Sequence, residues 1–433
     1  MTVTYDPHHP IYLDEADTRV ELARVFDTCH SCRRCVELCP SFPTLFGYID
    51  RHVDLDAGRM TPFQQDHVVD QCFQCKLCYV NCPYIPGQHE SAIDFPRLML
   101  RAAAMRRSSG RVTLRDKVTS AFLGSTDAIG ALAVVTVKFT NKVIGAKPGS
   151  LIRKAVEVTT GVSSVRLLPM FARERFSAWF NKRPRVRVGK RQGRVTVFPT
   201  CLVEYQEPTI GKALVKVYEH NGIECSLTTA GCCGAPYLHS GDMAKFTKIA
   251  VDNVAALAAE VRRGTDIVVP QPTCGFVLKK DYLDYVGGPD ALLVSQHTYD
   301  AAEYLMKVHA TEGLSLDTDF DGPVPETITY HTPCHLLAQN IGLKSRDLMK
   351  LTGARIKIVK QCSGIDGLWG LRAENAELSI PIGKKLAAMV KDANGDVVAG
   401  DCHLANTVIT EQSGVTPHHP LQVVARAYGL DTE

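Results

Sequence analysis

No stretch of this 433-residue chain is apolar for long enough to cross a bilayer. The best candidate, "AIGALAVVTV" at 128–137, has ten residues, against the roughly 20 a spanning helix needs. The opening "MTVTYDPHHPIYLDEADTRV" lacks the basic start and apolar run of a secretory signal. A reducing, cytoplasmic setting is therefore expected, in which disulfides are not the main use of cysteine. No G-x-G-x-x-G follows a strand and no G-x-x-x-x-G-K-[ST] occurs, so no nicotinamide, flavin or nucleotide site is expected. No nucleic-acid partner is expected either. Acids are scarce in one segment. Between Arg101 and Arg194 there are 21 Lys or Arg against Asp116, Asp127, Glu157 and Glu174, a local +17 that leaves −14 for the rest of a chain of net +3. Such asymmetry points to an acidic partner or an anionic membrane surface.

Against these absences stands a high count of cysteines, 16 in all. Eight fall in "CHSCRRCVELCP" and "CFQCKLCYVNCP", both C-x-x-C-x-x-C-x-x-x-C-P. Thiolates are soft ligands for iron–sulfur clusters, zinc or copper(I). Structural zinc usually takes two separated C-x-x-C pairs. Three cysteines at every third residue followed by a displaced Cys-Pro is instead the bacterial ferredoxin run, whose fourth cysteine serves the other cluster. The expected 4Fe–4S sets are Cys29, Cys32, Cys35 and Cys82, and Cys72, Cys75, Cys78 and Cys39. With the sulfur sets complete, His30 and His52 are expected to be surface or supporting residues. Thr61 as N-cap and Pro62 at the first helical position open a helix with apolar Phe63, Val68 and Val69; Asp94 and Pro96 open another over "DFPRLMLRAAAMRR". A helical domain over 1–105 follows.

Residues 106–194 hold amphipathic pieces, "RVTLRDKVTSAFLG" and "LLPMFARERFSAWFNKRPR". A basic amphipathic helix suits an anionic membrane or a docking partner; a helical linker packed on its own domains is the competing expectation.

From Val195 short β-branched runs alternate with helical stretches, the pattern of β-α-β units and parallel sheets. Two halves align element by element, 195–320 and 321–433, as in a duplication. Cys201 corresponds to Cys334, Cys232 to Cys362, Cys233 to Ser363, Gly234 to Gly364 and Cys274 to Cys402. Each cysteine follows a strand, where ligands of open α/β sheets collect. Cys225 corresponds to Ile356 inside a strand and reads as a core thiol. His331, His335 and His403 flank the second set and leave room for a metal or proton role.

"GCCGAP" and "QCSGIDG", with "FPTC" and "YHTPCH", resemble the duplicated cysteine-rich CCG domain. With two ferredoxin runs in front, the chain resembles the iron–sulfur proteins grouped with the D subunit of heterodisulfide reductase. That group includes the C subunit of anaerobic glycerol-3-phosphate dehydrogenase, the glycolate oxidase iron–sulfur subunit and lactate-utilisation proteins. "DFPRLMLR" and "CSGIDGLWG" are similar to a branch found beside rubrerythrin. The resemblance implies a helical double-cluster ferredoxin domain followed by a duplicated α/β CCG domain. It implies electron transfer between a flavoprotein dehydrogenase and a quinone or a redox protein such as rubrerythrin, with partners needed for turnover. The departures are specific. The final C-x-x-C of heterodisulfide reductases is "CGFV" at 274–277 and "CHLA" at 402–405, and Ser363 stands where the first half has Cys233. The first half keeps Cys201, Cys232, Cys233 and Cys274, enough for a further cluster or a redox-active Cys232–Cys233 pair. The second keeps Cys334, Cys362 and Cys402. Two rival expectations are a thiol–disulfide reductase acting at Cys232 and Cys233, and a non-catalytic docking or anchor protein held peripherally on the membrane through 106–194.

Overall fold

A computed structural model describes residues 5–184, 191–365 and 368–430. The first hundred residues are helical, with Glu15–Cys32, Ser41–Ile49, Pro62–Asp70 and Phe95–Ser108 as the main helices. They close on a core that includes Leu22, Phe26, Phe42, Leu45, Phe95 and Leu98. The helix starts obey local chemistry. Thr61 accepts from Gln64 N while the Gln64 side chain accepts from Thr61 N, and Asp94 accepts from Arg97 N. Val68 and Val69 are buried as expected, but Phe63 is 75% exposed. A nine-residue helix turns one side to its neighbours, and Phe63 lies off that side, stacked on His67.

The basic segment packs back on the rest of the chain. Helices Leu114–Gly124, Thr126–Val135, Val137–Ile144 and Leu151–Thr160 precede a short Phe176–Lys182. At Gly124 an added Cβ would fall 2.7 Å from the Tyr237 ring, so helix and first repeat are in close contact. Much of the positive charge serves internal contacts: Arg107 pairs with Asp242, Arg111 with Glu15, Arg166 with Glu411 and Arg183 with Glu219. Arg153 is buried and donates to the carbonyls of Ile144, Ser163 and Arg166. The expected helix over "LLPMFARERFSAWFNKRPR" is helical only at 176–182. Its Phe176 and Phe180 enter the core of the first repeat rather than facing outward. The physical reason is the fit of Phe176 against the helix Pro208–His220, where Gly211 leaves it space.

The cysteine-bearing repeats each form a small parallel sheet. The first has the order β2-β1-β3-β4, with β1 Gly193–Val197, β2 Ile223–Leu227, β3 Asp266–Val269 and β4 Thr298–Asp300. The second has β6-β5-β7, with β5 Thr327–His331, β6 Arg355–Val359 and β7 Val397–Gly400. Val195 pairs with Cys225 on one side and Asp266 on the other; Ile328 pairs with Ile356 and Val397. The registers therefore superpose Cys225 on Ile356. Beyond β7 a single parallel bridge, Ala399 to His418, stands where β4 stands in the first repeat. The likeness continues: Asp300 caps helix Ala301–Ala310 with Glu303 at N3, and His419 caps Pro420–Ala427 with Gln422 at N3.

The two sheets share one core, which takes in Val195, Val197 and Val268 from the first and Ile328, Tyr330 and Ala399 from the second. The caps reach across. His419 Nε2 donates to the carbonyl of Pro270, just after β3, at 3.0 Å. Asp300 is raised to about 7 by burial and then by Asp401, just after β7.

Candidate functional site

The loops that carry the first eight cysteines are tightly coiled. Arg33, Gln74 and Lys76, interleaved with the cysteines, all take left-handed backbone angles, a conformation that costs a non-glycine residue about 1 kcal/mol. The chain holds it so that successive sulfurs turn inward. Cys29 has Cys35, Cys82 and Cys32 as its sulfur neighbours, and Cys35 has Cys82 and Cys32. Cys78 has Cys72 and Cys39 as its first neighbours, and Cys39 has Cys72. The fourth cysteine of each run thus lies with the other run.

Burial, then mutual repulsion among the sulfurs, pushes these thiols up, Cys35 to about 11, with Cys29, Cys39, Cys75 and Cys78 also held well above the ordinary thiol range. Crowded, desolvated sulfurs need a cationic partner to be thiolates at neutral pH. Among the described residues no three side chains converge closely enough to hold a single metal ion. Two sets of four soft sulfur donors fit multi-iron clusters by number and donor type. Backbone and side-chain N–H groups point at the sulfurs, Tyr84 N at Cys82 Sγ and Gln74 Nε2 at Cys72 Sγ. His30 is hydrogen-bonded to Asp50 and buried beside the first set.

The second run meets the second repeat directly. Cys334 and Cys362 both lie near enough to Cys75 to act on it electrostatically. His335 holds this junction: Nε2 donates to the carbonyl of Gln74 at 3.0 Å, so Nδ1 accepts from the Thr273 hydroxyl at 2.9 Å. Trp369 Nε1 donates to Asp70 O at 2.8 Å and its ring packs on Phe73. The loop after β3 is also held by Gln339, which donates to Pro272 O, and by Gln271, which accepts from His403 N. Lys76 is buried in the same region, bonded to Gln74 Oε1 at 2.7 Å.

In the first repeat Cys233 Sγ lies 3.2 Å from Cys274 Sγ, and the Cys232 and Cys233 thiols are hydrogen-bonded. Their loop is pinned by Asn253, which donates to Cys232 O and accepts from Gly231 N, and by Tyr282, which donates to Cys233 O. Gly234 and Gly364 both have positive φ. A Cβ at Gly364 would fall 2.8 Å from Ser379 O, so both the turn and the close approach require glycine. Each glycine N–H points back at a sulfur, Gly234 at Cys232 and Gly364 at Cys362. Asp127, from the basic segment, accepts from Cys232 N at 2.8 Å. Ser363 is buried. Cys225 sits in the core, bonded to Ile223 O.

Cys201, Cys232, Cys233 and Cys274 open with Cys402 and Cys72 onto one cavity of about 840 Å³. Its other walls come largely from the helices of the basic segment. Asp127, Asn253 and Trp369 act at cysteine loops other than their own, on Cys232 and beside Cys72, which local spacing does not show.

Residues 195–279 and 328–406 match the cysteine-rich domain family CCG, and residues 22–83 match the 4Fe-4S dicluster domain family. The C subunit of the anaerobic glycerol-3-phosphate dehydrogenase of Escherichia coli K12 is 26% identical over 319 residues, which covers 73% of this chain and 78% of that one. The B subunit of the fumarate reductase (CoM/CoB) of Methanothermobacter marburgensis is 30% identical over 258 residues, 56% of this chain and 48% of that one. Lactate utilization protein A of Bacillus pumilus is 22% identical over 225 residues, 48% of this chain and 87% of that one.

Proposed function

The chain belongs to the iron–sulfur proteins built from a dicluster ferredoxin region and a duplicated CCG domain, and from that premise we propose that it is an electron-transfer subunit passing electrons between a flavoprotein dehydrogenase and a terminal acceptor. Cys29, Cys32, Cys35 and Cys82 would hold one 4Fe–4S cluster and Cys39, Cys72, Cys75 and Cys78 the other. Cys201, Cys232, Cys233 and Cys274 are the donors for a further site, and Cys334, Cys362 and Cys402 for another. When bound, the clusters supply one-electron carriers. The observation that carries the reading is the placing of Cys334 and Cys362 near enough to Cys75 to act on it electrostatically, with His335 bonded to the Gln74 carbonyl between them. The chain's own part is to hold the sulfurs in a dry setting, to aim N–H donors at them and to lock the two regions together through His335 and Trp369.

The rival of a thiol–disulfide reductase rests on the 3.2 Å approach of Cys233 to Cys274. Burial of both sulfurs counts against it, since an attacking thiol must be reachable. The flavoprotein, or a rubrerythrin-like protein at the other end, supplies the chemistry that the chain has no motif for. Peripheral membrane contact through the basic segment is part of the proposal. Among the described residues no single helix is long and apolar enough to cross a membrane; Leu114–Gly124 and Ile129–Val135 reach that composition only together and meet at 63°. The contact is supported by Phe139, Leu151 and Val158, all exposed beside Lys138, Lys142 and Lys154, which form no ion pair among the described residues.

The test is metal content. Protein produced and kept without oxygen should hold at least about eight irons and eight sulfides per chain. Stoichiometric zinc without iron would overturn the reading.

A further inference from the structure

Each ferredoxin run places a basic residue directly after its second cysteine, Arg33 in the first and Lys76 in the second, and both take the left-handed backbone. The two side chains then part. Arg33 turns to water, 46% exposed and paired with Asp50, so solvent and a carboxylate cancel most of its field. The other cations that act on the first set are spent in the same way, Arg24 on Glu21 at 2.7 Å and Arg34 in solvent. Lys76 is 4% exposed and makes no ion pair among the described residues.

Lys76 Nζ donates to Gln74 Oε1 at 2.7 Å and lies 5.7 Å from the centre of the Phe276 ring. Gln74 carries the charge onward, since its Nε2 donates to Cys72 Sγ at 3.5 Å and to Pro96 O at 3.2 Å. An ammonium on the amide oxygen makes the amide N–H on the sulfur a stronger donor. Two carboxyls face Lys76. Asp94 is turned to Arg97, meeting its backbone N–H at 3.0 Å and its guanidinium at 3.5 Å, and Asp281 Oδ2 is buried with no hydrogen-bond partner. His335 and His239 face it too, and burial keeps both imidazoles neutral at neutral pH. A buried ammonium is costly unless an opposite charge offsets it. Four thiolates around an iron–sulfur core supply that charge at Cys72.

Burial alone would hold the electron at the first set. Cys75 and Cys78 are buried, whereas Cys29, Cys32, Cys35 and Cys82 are half-buried. Reduction adds negative charge, which a dry site disfavours. A buried positive charge and a hydrogen bond to a ligand sulfur both act the other way. We propose that Lys76 holds the second cluster at the higher reduction potential, so that an electron arriving at the Cys29 set moves on to the Cys75 set and is kept beside Cys334 and Cys362. In that step the first centre loses one electron and the second gains it, with no bond or proton exchanged. The proposal rests on the reading of the eight cysteines as two 4Fe–4S sets and adds a direction to it.

The experiment uses the full chain, made without oxygen and carrying its iron, in a redox titration followed by electron paramagnetic resonance. Lys76 is the only lysine in the first 105 residues. In protein labelled with 15N-lysine, the ferredoxin signal that appears at the higher potential should therefore carry the nitrogen hyperfine coupling, and the other should not. Lys76→Gln retains a donor for Gln74 Oε1 without the charge. It should lower the reduction equilibrium of the coupled signal's cluster by about tenfold or more, about 59 mV for one electron, and leave the other cluster unchanged. Lys76→Arg should retain the wild-type potential, and Arg33→Gln should move neither cluster as far. A lysine-coupled signal at the lower potential would overturn the proposal. So would an iron-replete Lys76→Gln protein with wild-type potentials, or a Lys76→Arg protein shifted as far as Lys76→Gln. If Lys76→Gln loses its iron, the order of the two wild-type signals decides alone. Protein that holds zinc and no iron removes the electron-transfer reading itself, whereas iron-replete protein with the order reversed removes only this inference.

Discussion

Replacing His335 by leucine should loosen the junction between the second ferredoxin run and both CCG loops. The imidazole is 2% exposed and makes one bond on each side, to Gln74 O at 3.0 Å and to Thr273 Oγ1 at 2.9 Å. Its own titration plays no part at neutral pH, because burial and then Lys76 push it down to about 3. Leucine fills a similar apolar volume but leaves the Gln74 carbonyl buried without a donor, a loss of roughly 1–3 kcal/mol, and the Thr273 bond adds about 1 kcal/mol. The sum, about 2–4 kcal/mol, corresponds to an opening equilibrium about 30- to 1000-fold larger. Hydrogen–deuterium exchange of the iron-replete full chain reads that equilibrium directly in peptides covering 70–80 and 270–277. Faster exchange is expected in both, with peptides of β1 and β2 unchanged. His335→Gln, which retains a side-chain N–H for the carbonyl, should recover part of the protection. Unchanged exchange in an iron-replete His335→Leu protein would refute the claim that this ring ties the regions together.

Charge reversal at Lys138 and Lys142 should weaken flotation with anionic vesicles by at least about 2 kcal/mol, roughly thirtyfold, at about 1 kcal/mol per lysine near a charged surface, and wild-type binding should fall with added salt; equal binding by the variant would remove the membrane surface from the proposal. His419 predicts an acid-side loss of stability. Burial holds its imidazole down to about 4, below the ordinary value of about 6.5, and His403 is its titrating neighbour. The unfolded chain therefore takes up the proton first, so this contribution is complete above about pH 6.5 and declines as pH falls from there to about 4, by roughly 3 kcal/mol. His419→Asn keeps a cap for helix Pro420–Ala427 without titrating in this window; its denaturation midpoint should show a shallower fall across the window than that of wild type, and identical slopes would contradict the assignment.

What the sequence made legible was whatever is local. The cysteine runs, the caps at Thr61 and Asp94 and the strand alternation around Cys225 and Ile356 each lie within a few residues, where spacing and backbone chemistry decide the outcome. The equivalence of Cys225 with Ile356 emerged because both halves repeat the same strand pattern. The outward turn of Phe63 and the inward turn of Phe176 were not legible, since each depends on which distant helix offers room. Asp127 reads in sequence as one of four acids in a basic stretch, yet it meets the Cys232 amide across 105 residues. The three-residue β4 is too short for a period to show. The cavity at Cys201, Cys232, Cys233 and Cys274 is the least legible feature of all, because its walls come largely from the segment that composition describes only as basic.

The caps that cross between the repeats bear on descent. His419 of the later half satisfies a carbonyl after β3 of the earlier half, and Asp300 of the earlier half lies against Asp401 of the later. A chain with one repeat would leave that carbonyl unmet and half of a shared core bare, and it would cure both by pairing with a copy of itself. The present chain meets both needs by carrying the two repeats in a single polypeptide. Joining frees the halves from identity, since a substitution now alters one loop and not its twin. The different thiol inventories, with Cys233 in one half and Ser363 in the other, are the record of that freedom: one half could keep four sulfurs on the cavity while its twin kept three and gave only Cys402 to it.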